Sequence, residues 1–277
     1  MPTETQPRIA LLIDADNAPA EMIDEILTEL STFGIINTRR AYGNWTKPGL
    51  QGWQNKLLQY AIRPMQQFDY SKGKNATDMA MTVDAMELLY TDTPDAFGIV
   101  SSDADFTPLV LHLRGKGAAV YGFGSAQTPK AFVNACSRFL YFDALVELGD
   151  GITNRNDRRE ADALGVKSEA GAVPEVPAIA KNATASPCGL RVPTAQLQRD
   201  KQLMATLHDA VKATRDETGW ARVSAVGMHI GNKLSFDARN YGYASLTKLL
   251  AATKRFELRE EGTPRVSVRD PSQPLGN

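Results

Sequence analysis

Cysteine is scarce in this chain of 277 residues, which carries only Cys136 and Cys188, far apart and without a CxxC pair. We therefore expect neither a disulfide framework nor a cysteine-ligated zinc site. Histidine is almost as rare, and its scattered positions are more typical of surface or helix residues than of catalytic ones. The sequence also shows no serine–histidine pair and no glycine-rich phosphate loop. The histidines are His112, His208 and His229.

Long apolar runs are missing as well. No stretch of 18 consecutive apolar residues occurs, so a membrane-spanning helix is not expected. Residues 1–8 lack the basic-then-apolar order of a secretory signal, which together with the low cysteine content predicts a cytoplasmic protein. Hydrophobic residues make up 43% and charged residues 23% of the chain, so it is expected to fold around a sizeable core.

The net charge of −1 hides an asymmetry between the two parts of the chain. Residues 1–150 hold 12 Lys and Arg against 18 Asp and Glu, a net charge of −6, and the remainder holds 19 against 14, a net charge of +5. The first part concentrates carboxylates, whereas the second part is suited to attract phosphates. Ordinary variation of surface charge is the alternative explanation.

Strand-type apolar runs alternate with helical periods over residues 1–148. Repeated strand–helix units predict a parallel sheet covered by helices on both faces, the α/β class. The predicted strands cover residues 8–13, 35–42, 65–68, 97–101 and 118–123, the predicted helices cover 19–33, 50–62, 77–90, 106–115 and 130–136, and a last apolar run covers 138–145.

The chain changes character after this region. Residues 149–194 are rich in Pro, Ala, Glu, Lys and Asn without a sustained period, which predicts a flexible linker. Three short helical patterns follow in residues 195–262 and indicate a small winged-helix-like domain. Residues 263–277 are predicted to form a frayed tail.

Acidic residues follow two strands of the predicted sheet. Asp14 and Asp16 come directly after the first strand, and Asp103 and Asp105 come directly after the fourth. Ligands of open α/β sheets bind beyond the carboxyl ends of the strands, where the strand order reverses. If the two strands are neighbours at that point, Asp14 and Asp103 face one crevice. Asp78, at the start of the third helix, then adds another carboxylate.

Carboxylates that converge repel one another and need a cation or a proton. Oxygen ligands suit Mg²⁺ or Mn²⁺, and such an ion polarises a phosphodiester and helps to generate a hydroxide nucleophile. We therefore expect Asp14, Asp78 and Asp103 to bind a metal, and these three together with Asp105 to be catalytic. Asp78 also suits the positive end of its helix, and Asp105 suits the cap of the next one, without any catalytic role.

Basic and aromatic residues near these acids indicate a nucleic-acid substrate. Lys72 and Lys74 lie in the loop before Asp78, and Arg39 begins a basic and aromatic stretch that continues to Trp45 and beyond. Cations attract phosphates and aromatic rings stack on bases, so this mixture suits single-stranded RNA. A solvated loop face is the alternative for each of these cations.

Three sequence blocks carry a resemblance to a known family. IALLIDADNAP, KGKNATDMAMTVDAM and GIVSSDADFTPLV, in this order, resemble the signature blocks of NYN domains, which are PIN-like ribonuclease-fold proteins. The resemblance covers roughly residues 7–147. It implies a PIN-like three-layer α/β/α sandwich and a Mg²⁺- or Mn²⁺-dependent endoribonuclease. The family's metal-binding acids fall on Asp14, Asp78 and Asp103, with Asp105 as an auxiliary acid.

The same resemblance implies roles for polar neighbours of these acids. Asn17 matches the residue that orients the first acid, and Ser101 and Ser102 match the small polar pair before the third. We expect Asn17 and Ser102 to contribute to substrate binding. Ala15 and Ala104 stand where many members have glycine, which leaves the acids intact but is expected to alter the shape of the loops.

The second domain carries a resemblance of its own. SFDARNYGYASLTKLLAATKRFELR resembles the OST-HTH, or LOTUS, domain, a winged-helix-like module that binds RNA or docks proteins. Residues 195–277 hold 13 basic and 9 acidic residues, a net charge of +4 that is compatible with phosphate contact. Construction of the small core is the alternative role for the tyrosines. The implied candidates for RNA contact are Arg239, Asn240, Tyr241, Tyr243, Lys248 and Lys254.

Three functions remain open on the sequence. The first is a metal-dependent endoribonuclease whose second domain recruits RNA or a partner protein. The second is a catalytically weak RNA-binding regulator. The third is a phosphatase-like hydrolase, because Asp14-x-Asp16 after a first strand is similar to haloacid-dehalogenase-type nucleophile loops. That pattern requires Thr or Val where this chain has Ala18, and no partner lysine is obvious.

Overall fold

Six parallel strands form the sheet of the first domain. The computed structural model describes residues 6–68, 76–146 and 191–272. The strands of the first domain are β1 (Arg8–Asp14), β2 (Ile35–Gly43), β3 (Arg63–Gln66), β4 (Ala96–Val100), β5 (Ala119–Gly124) and β6 (Arg138–Tyr141). Their order across the sheet is β3-β2-β1-β4-β5-β6, so the direction of winding reverses between β1 and β4.

Strand β1 lies in the middle of this sheet because its residues are apolar on both faces. All of its positions after Arg8 are buried, which is the pattern of a parallel strand covered on both sides. It pairs with β2 on one side and with β4 on the other. Each face of the sheet has its own cluster of buried residues, one containing Leu12 and Phe97 and the other Leu11 and Ile13.

Helices cover both faces and complete an α/β/α sandwich, which confirms the predicted fold class. One face packs against α1 (Ile23–Ser31) and α2 (Trp53–Gln59). The other packs against α3 (Ala76–Thr91), α4 (Thr107–Gly115) and α5 (Lys130–Ala135). Helix α2 is shorter than the predicted 50–62 because residues 48–50 form a separate 3-10 turn.

Helix α3 is held to the sheet by a polar cluster as well as by apolar packing. The Asp84 carboxylate accepts hydrogen bonds from the Arg40 guanidinium and from the Tyr42 hydroxyl. Burial, followed by the hydrogen bond to Asp84, raises the pKa of Tyr42 well above its usual range. Asp84 therefore positions α3 relative to β2.

The second domain is a helical module with a small antiparallel sheet. Its helices are α6 (Thr194–Arg199), α7 (Lys201–Thr214), α8 (Val223–Lys233) and α9 (Leu246–Thr253), and its strands are β7 (Ala221–Arg222), β8 (Glu257–Arg259) and β9 (Ser267–Arg269). The strand order is β7-β9-β8, so β9 is the middle strand. The core of this domain includes Leu207, Val226, Leu249 and Val268, all of them fully buried.

Two predicted boundaries of the second domain are wrong. The predicted tail at 263–277 contains β9, whose Val268 is 0% exposed, and its alternation is too short to stand out in the sequence. The predicted linker at 149–194 ends too late, since the Val192 amide already donates to the Tyr241 carbonyl at 3.2 Å. Residues 147–190 of that region lie outside the described residues.

Within residues 6–68, 76–146 and 191–272, no helix is both long enough and apolar enough to cross a bilayer.

The packing of β9 predicts that Val268→Ala destabilises the second domain. The substitution removes two buried methyl groups and leaves a cavity, so we expect a loss of about 2 kcal/mol in the free energy of unfolding. Thermal and denaturant unfolding followed by circular dichroism would measure it. Val83→Ala, at a valine that is 63% exposed, is the matched control. Equal effects of the two substitutions would contradict a structural role for β9.

Candidate active site

The crevice predicted from strand order is present at the carboxyl ends of β1 and β4. Asp14 is the last residue of β1, and Ile13 is paired with Val100, the last residue of β4. The chain after β4 therefore passes directly beside Asp14. Ser101, the next residue, donates its hydroxyl to Asp14 Oδ2 at 3.0 Å. The two acidic segments thus meet at the reversal of strand order.

The Asp14 carboxylate is fully buried and only half satisfied. Its Oδ2 accepts hydrogen bonds from Ser101 and from Asn17 Nδ2, the latter at 2.9 Å. Its Oδ1 is buried with no hydrogen-bond partner. Burial raises the pKa of Asp14, and the bonds from Asn17 and Ser101 oppose that shift. An acceptor oxygen that is buried and unpaired marks a position where a cation would be favourable.

Asp103 is linked to Asp14 through a single residue. The Asp103 amide donates to Ser101 Oγ at 3.1 Å, and the same hydroxyl donates to Asp14. Asp103 Oδ1 in turn accepts the Asp105 amide at 2.8 Å and caps the 3-10 turn Ala104–Phe106. The alternative in which Asp105 provides the cap is therefore wrong, because Asp103 occupies that position.

Asp78 approaches the same crevice from the first turn of α3. Burial raises its pKa to about 6, and the negative charges of Asp14, Asp103, Asp105 and Asp16 add to the shift in that order. The repulsion from these four carboxylates adds to the effect of burial, which shows that they lie within electrostatic range of Asp78. The predicted acids therefore share one electrostatic environment.

These acids are nevertheless not gathered into a ready-made metal centre. In the described ranges, no three His, Cys, Asp or Glu side chains are close enough together to hold a metal ion. Ionised carboxylates repel each other, and drawing them into contact requires a cation or a proton. The chemistry of the donors and the unpaired Asp14 oxygen fit Mg²⁺ or Mn²⁺, which prefer carboxylate oxygens.

Asp16 belongs to the rim of the crevice. It accepts a hydrogen bond from Thr77 Oγ1 at 2.9 Å and lies 3.5 Å from Lys47 Nζ. Thr77 was not among the sequence candidates; it connects the start of α3 to the loop after β1. Asp16, Asn17, Lys47 and Trp53 line an adjoining crevice of about 560 Å³.

Ser102 faces the loop after β5. Its hydroxyl accepts the Ser125 amide at 2.9 Å and lies 3.2 Å from the Ser125 hydroxyl. Ser125 is a second residue that sequence reasoning missed, since no pattern in the sequence connects it to Ser102. The pair fixes the outer side of the Asp103 loop.

Three of the predicted substrate-binding positions in the first domain lie away from the crevice or outside the described ranges. Arg39 pairs with Leu11 within β2, three positions before the register of Asp14, and donates to the Tyr60 carbonyl at 2.8 Å. The structure therefore does not bring Arg39 to the carboxylates. Lys72 and Lys74 lie outside the described residues.

Arg239 and Asn240 connect the second domain to the first. Arg239 donates to both oxygens of Glu29 on α1, at 2.6 and 2.7 Å, and also to Asp237. The Asn240 side chain donates to the Phe139 carbonyl at 3.0 Å and accepts the Tyr141 amide at 3.2 Å. The Arg239 guanidinium, predicted to contact RNA, is thus occupied by two carboxylates.

The remaining candidates of the second domain lie at its core and on α9. Tyr241 is partly buried, packs against Phe236 with ring centroids 6.0 Å apart, and its burial raises its pKa to about 12. Tyr243 is buried and donates its hydroxyl to the Val192 carbonyl at 2.8 Å. Lys248 is exposed on the first turn of α9. RNA contact by Tyr241 and Lys248 stays a prediction.

Comparison with known families assigns both domains. Residues 8–145 match the model of the NYN domain, and residues 197–268 match that of the OST-HTH/LOTUS domain. The chain therefore consists of an NYN domain, which belongs to the PIN-like nuclease superfamily, followed by an OST-HTH/LOTUS domain. Both resemblances found in the sequence are confirmed.

Two proteins to which the chain is similar are described as uncharacterized or of unknown function. An uncharacterized protein of Methanocaldococcus jannaschii is 34% identical over 122 residues, which are 43% of this chain and 48% of that protein. The chain thus matches about half the length of this curated relative. A crystal structure of a protein of unknown function from Vibrio parahaemolyticus aligns with a TM-score of 0.43 and 18% identity, over 51% of this chain and 96% of that one.

The raised pKa of Asp78 predicts a pH-dependent cost to stability. The folded state holds this proton more tightly than the unfolded chain, whose pKa is near 3.8, so stability falls as the pH rises from about 4 to above about 6. Asp78→Asn removes that cost. In EDTA, we expect the variant to melt a few degrees above the wild type at pH 7.5 and to match it at pH 4. A constant difference across this range would contradict the shared carboxylate environment.

The contact of Asn240 predicts slow exchange of one backbone amide. Asn240→Ala removes the acceptor of the Tyr141 amide, so exchange at Tyr141 should accelerate while the interior strands stay protected. Hydrogen exchange followed by NMR would measure it. Asn134→Ala, at an exposed position on α5, is the control. Unchanged exchange at Tyr141 in Asn240→Ala would show that the domains do not dock in this way.

Proposed function

We propose that this chain is a Mg²⁺- or Mn²⁺-dependent endoribonuclease whose second domain recruits RNA. The observation that carries the proposal is the buried, unpartnered Oδ1 of Asp14, next to acids whose charges add to the effect of burial in raising the pKa of Asp78. A site that only stabilised the fold would be expected to pair such an oxygen. The match to an NYN domain supports a nuclease-type activity.

Asp14, Asp78 and Asp103 are the residues proposed to hold the metal. When bound, the ion would polarise the scissile phosphodiester and lower the pKa of the attacking water. Asn17 and Ser101 fix the Asp14 carboxylate in one orientation by their hydrogen bonds to Oδ2. Oδ1 of Asp14 is thereby kept available as a ligand.

Other residues of the crevice are proposed to act on the substrate. Asp105 is exposed beside Asp103 and adds to the negative field that Asp78 experiences. Lys47 lies at the rim, where a cation suits the phosphate on one side of the scissile bond. The neighbouring crevice of about 560 Å³, closed on one side by the buried Trp53, is large enough for a nucleotide.

One observation favours a second function, that of an RNA-binding regulator with weak turnover. The described carboxylates are not gathered closely enough to hold a metal ion. If the acids do not close around a cation, the crevice retains RNA affinity without hydrolysis. The regulator and the nuclease therefore differ in whether the acids close around an added metal ion and RNA is then hydrolysed.

The nuclease proposal predicts that Asp14→Asn and Asp103→Asn abolish Mn²⁺-dependent cleavage of single-stranded RNA. Loss of a residue that only orients a metal ligand already costs about 10–100-fold, so we expect each ligand variant to lose more than about a hundredfold in rate. Asn17→Ala, which removes a residue that only orients Asp14, should lose about 10–100-fold in cleavage rate. Gel analysis of end-labelled RNA, with Mn²⁺ or with EDTA, would measure these rates.

Asp92→Asn is the matched control for these substitutions. Asp92 is exposed and lies just beyond the far end of α3, at the opposite edge of the domain from Asp78. The Asp92→Asn variant should therefore cleave RNA at the wild-type rate. RNA binding without cleavage in every protein would support the regulator. Release of phosphate from small esters, with RNA intact, would support the phosphatase-like alternative.

A further inference from the structure

The small sheet of the second domain has one buried and one outward face. Ala221, Val268 and Leu258 lie in one row across the three strands and pack into the core. Side chains alternate between faces along a strand, so the next row, which contains Arg222 and Arg259, faces outward. Both arginines are exposed.

Trp220, Arg222, Arg259 and Arg269 together form the Trp220 cluster on this outward face. The guanidinium carbons of Arg259 and Arg269 lie 4.4 and 4.9 Å from the centroid of the Trp220 ring. Cations held over an indole at such distances are in favourable cation–π contact, which orders all three side chains. The cluster is therefore a pre-formed surface of planar groups.

The cluster carries an excess of positive charge. It presents three arginines beside two acidic residues: Glu257 accepts hydrogen bonds from Arg269, and the charge of Asp216 interacts with that of Arg259. One positive charge is thus in excess, and the exposed Arg222 and Arg259 present guanidinium groups to an anion. Phosphates attract guanidinium groups, and bases stack on indole and guanidinium planes.

The contacts between the domains occupy two of the residues that were predicted to bind RNA. Arg239 and Asn240 are already engaged by Glu29 and by strand β6. RNA captured by the docked second domain therefore needs cations elsewhere. The Trp220 cluster contains none of the residues that contact the first domain.

We propose that the Trp220 cluster is a binding site for single-stranded RNA, with phosphates at Arg222 and Arg259 and a base stacked on the Trp220–arginine surface. The proposal rests on the proposed function in taking RNA as the ligand. An acidic protein would also be attracted by the arginines, but its side chains offer no equivalent of the stacked base. Stacking is thus the feature that distinguishes RNA.

Fluorescence anisotropy of a labelled single-stranded RNA, with the full chain in EDTA, tests the proposal. Trp220→Leu retains apolar cover but loses the indole, so its affinity should fall at least about fivefold with little change in salt dependence. Arg222→Gln should weaken binding and reduce the slope of log affinity against log salt by about 0.7, the value for one phosphate of a single strand. Arg259→Gln should show both effects, a loss of affinity from the missing stacked guanidinium and a smaller salt slope from the missing phosphate contact.

Lys116→Gln is the charge-matched control, because Lys116 is exposed just after α4 in the first domain. Should Trp220→Leu fail to fold by circular dichroism, the exposed Arg222 and Arg259 variants and their salt slopes decide. Affinities of all folded cluster variants within twofold of the wild type would overturn the proposal, whether or not an acidic protein binds there. Cluster variants that bind RNA more weakly but cleave it at the wild-type rate at saturating RNA would show that the loss lies in this binding site and not in the proposed nuclease site.

Discussion

Burial of the Asp14 carboxylate is the constraint around which the first domain is arranged. Moving an ionised carboxylate out of water costs several kcal/mol unless hydrogen bonds or a counter-charge offset it. Asn17 and Ser101 offset part of that cost at one oxygen, and the other oxygen has no protein partner. Ser101 reaches Asp14 only because β4 adjoins β1, so the strand order and the site depend on each other.

The sequence predicted the features of this domain that have strong local signals. Apolar runs such as that of β1 identify parallel strands, and acids directly after two such strands identify the crevice. Thr77 and Ser125 were missed because their partners come from loops that meet only across the finished sheet. Strand β9 was missed because three residues are too few to show an alternation.

Residue type alone was a poor guide to the role of Arg239. Its resemblance to RNA-contacting positions follows from the motif, whereas its partner Glu29 lies 210 positions earlier in the chain. No pattern near Glu29 marks it as a docking residue. The tertiary contact gives Arg239 a docking role that the motif does not indicate, and RNA contact by Arg239 stays a prediction. The same docking leaves the outward face of the small sheet exposed as a basic and aromatic surface.

Strand β6 lies at an edge of the six-stranded sheet. Edge strands present unpaired backbone groups that can add a strand from another molecule. The side-chain amide of Asn240 takes the place of one residue of such a strand, since it donates to the Phe139 carbonyl and accepts from the Tyr141 amide. A first domain excised without its companion would expose this edge to self-association, so an oligomeric state measured on the fragment would report the excision rather than the native assembly.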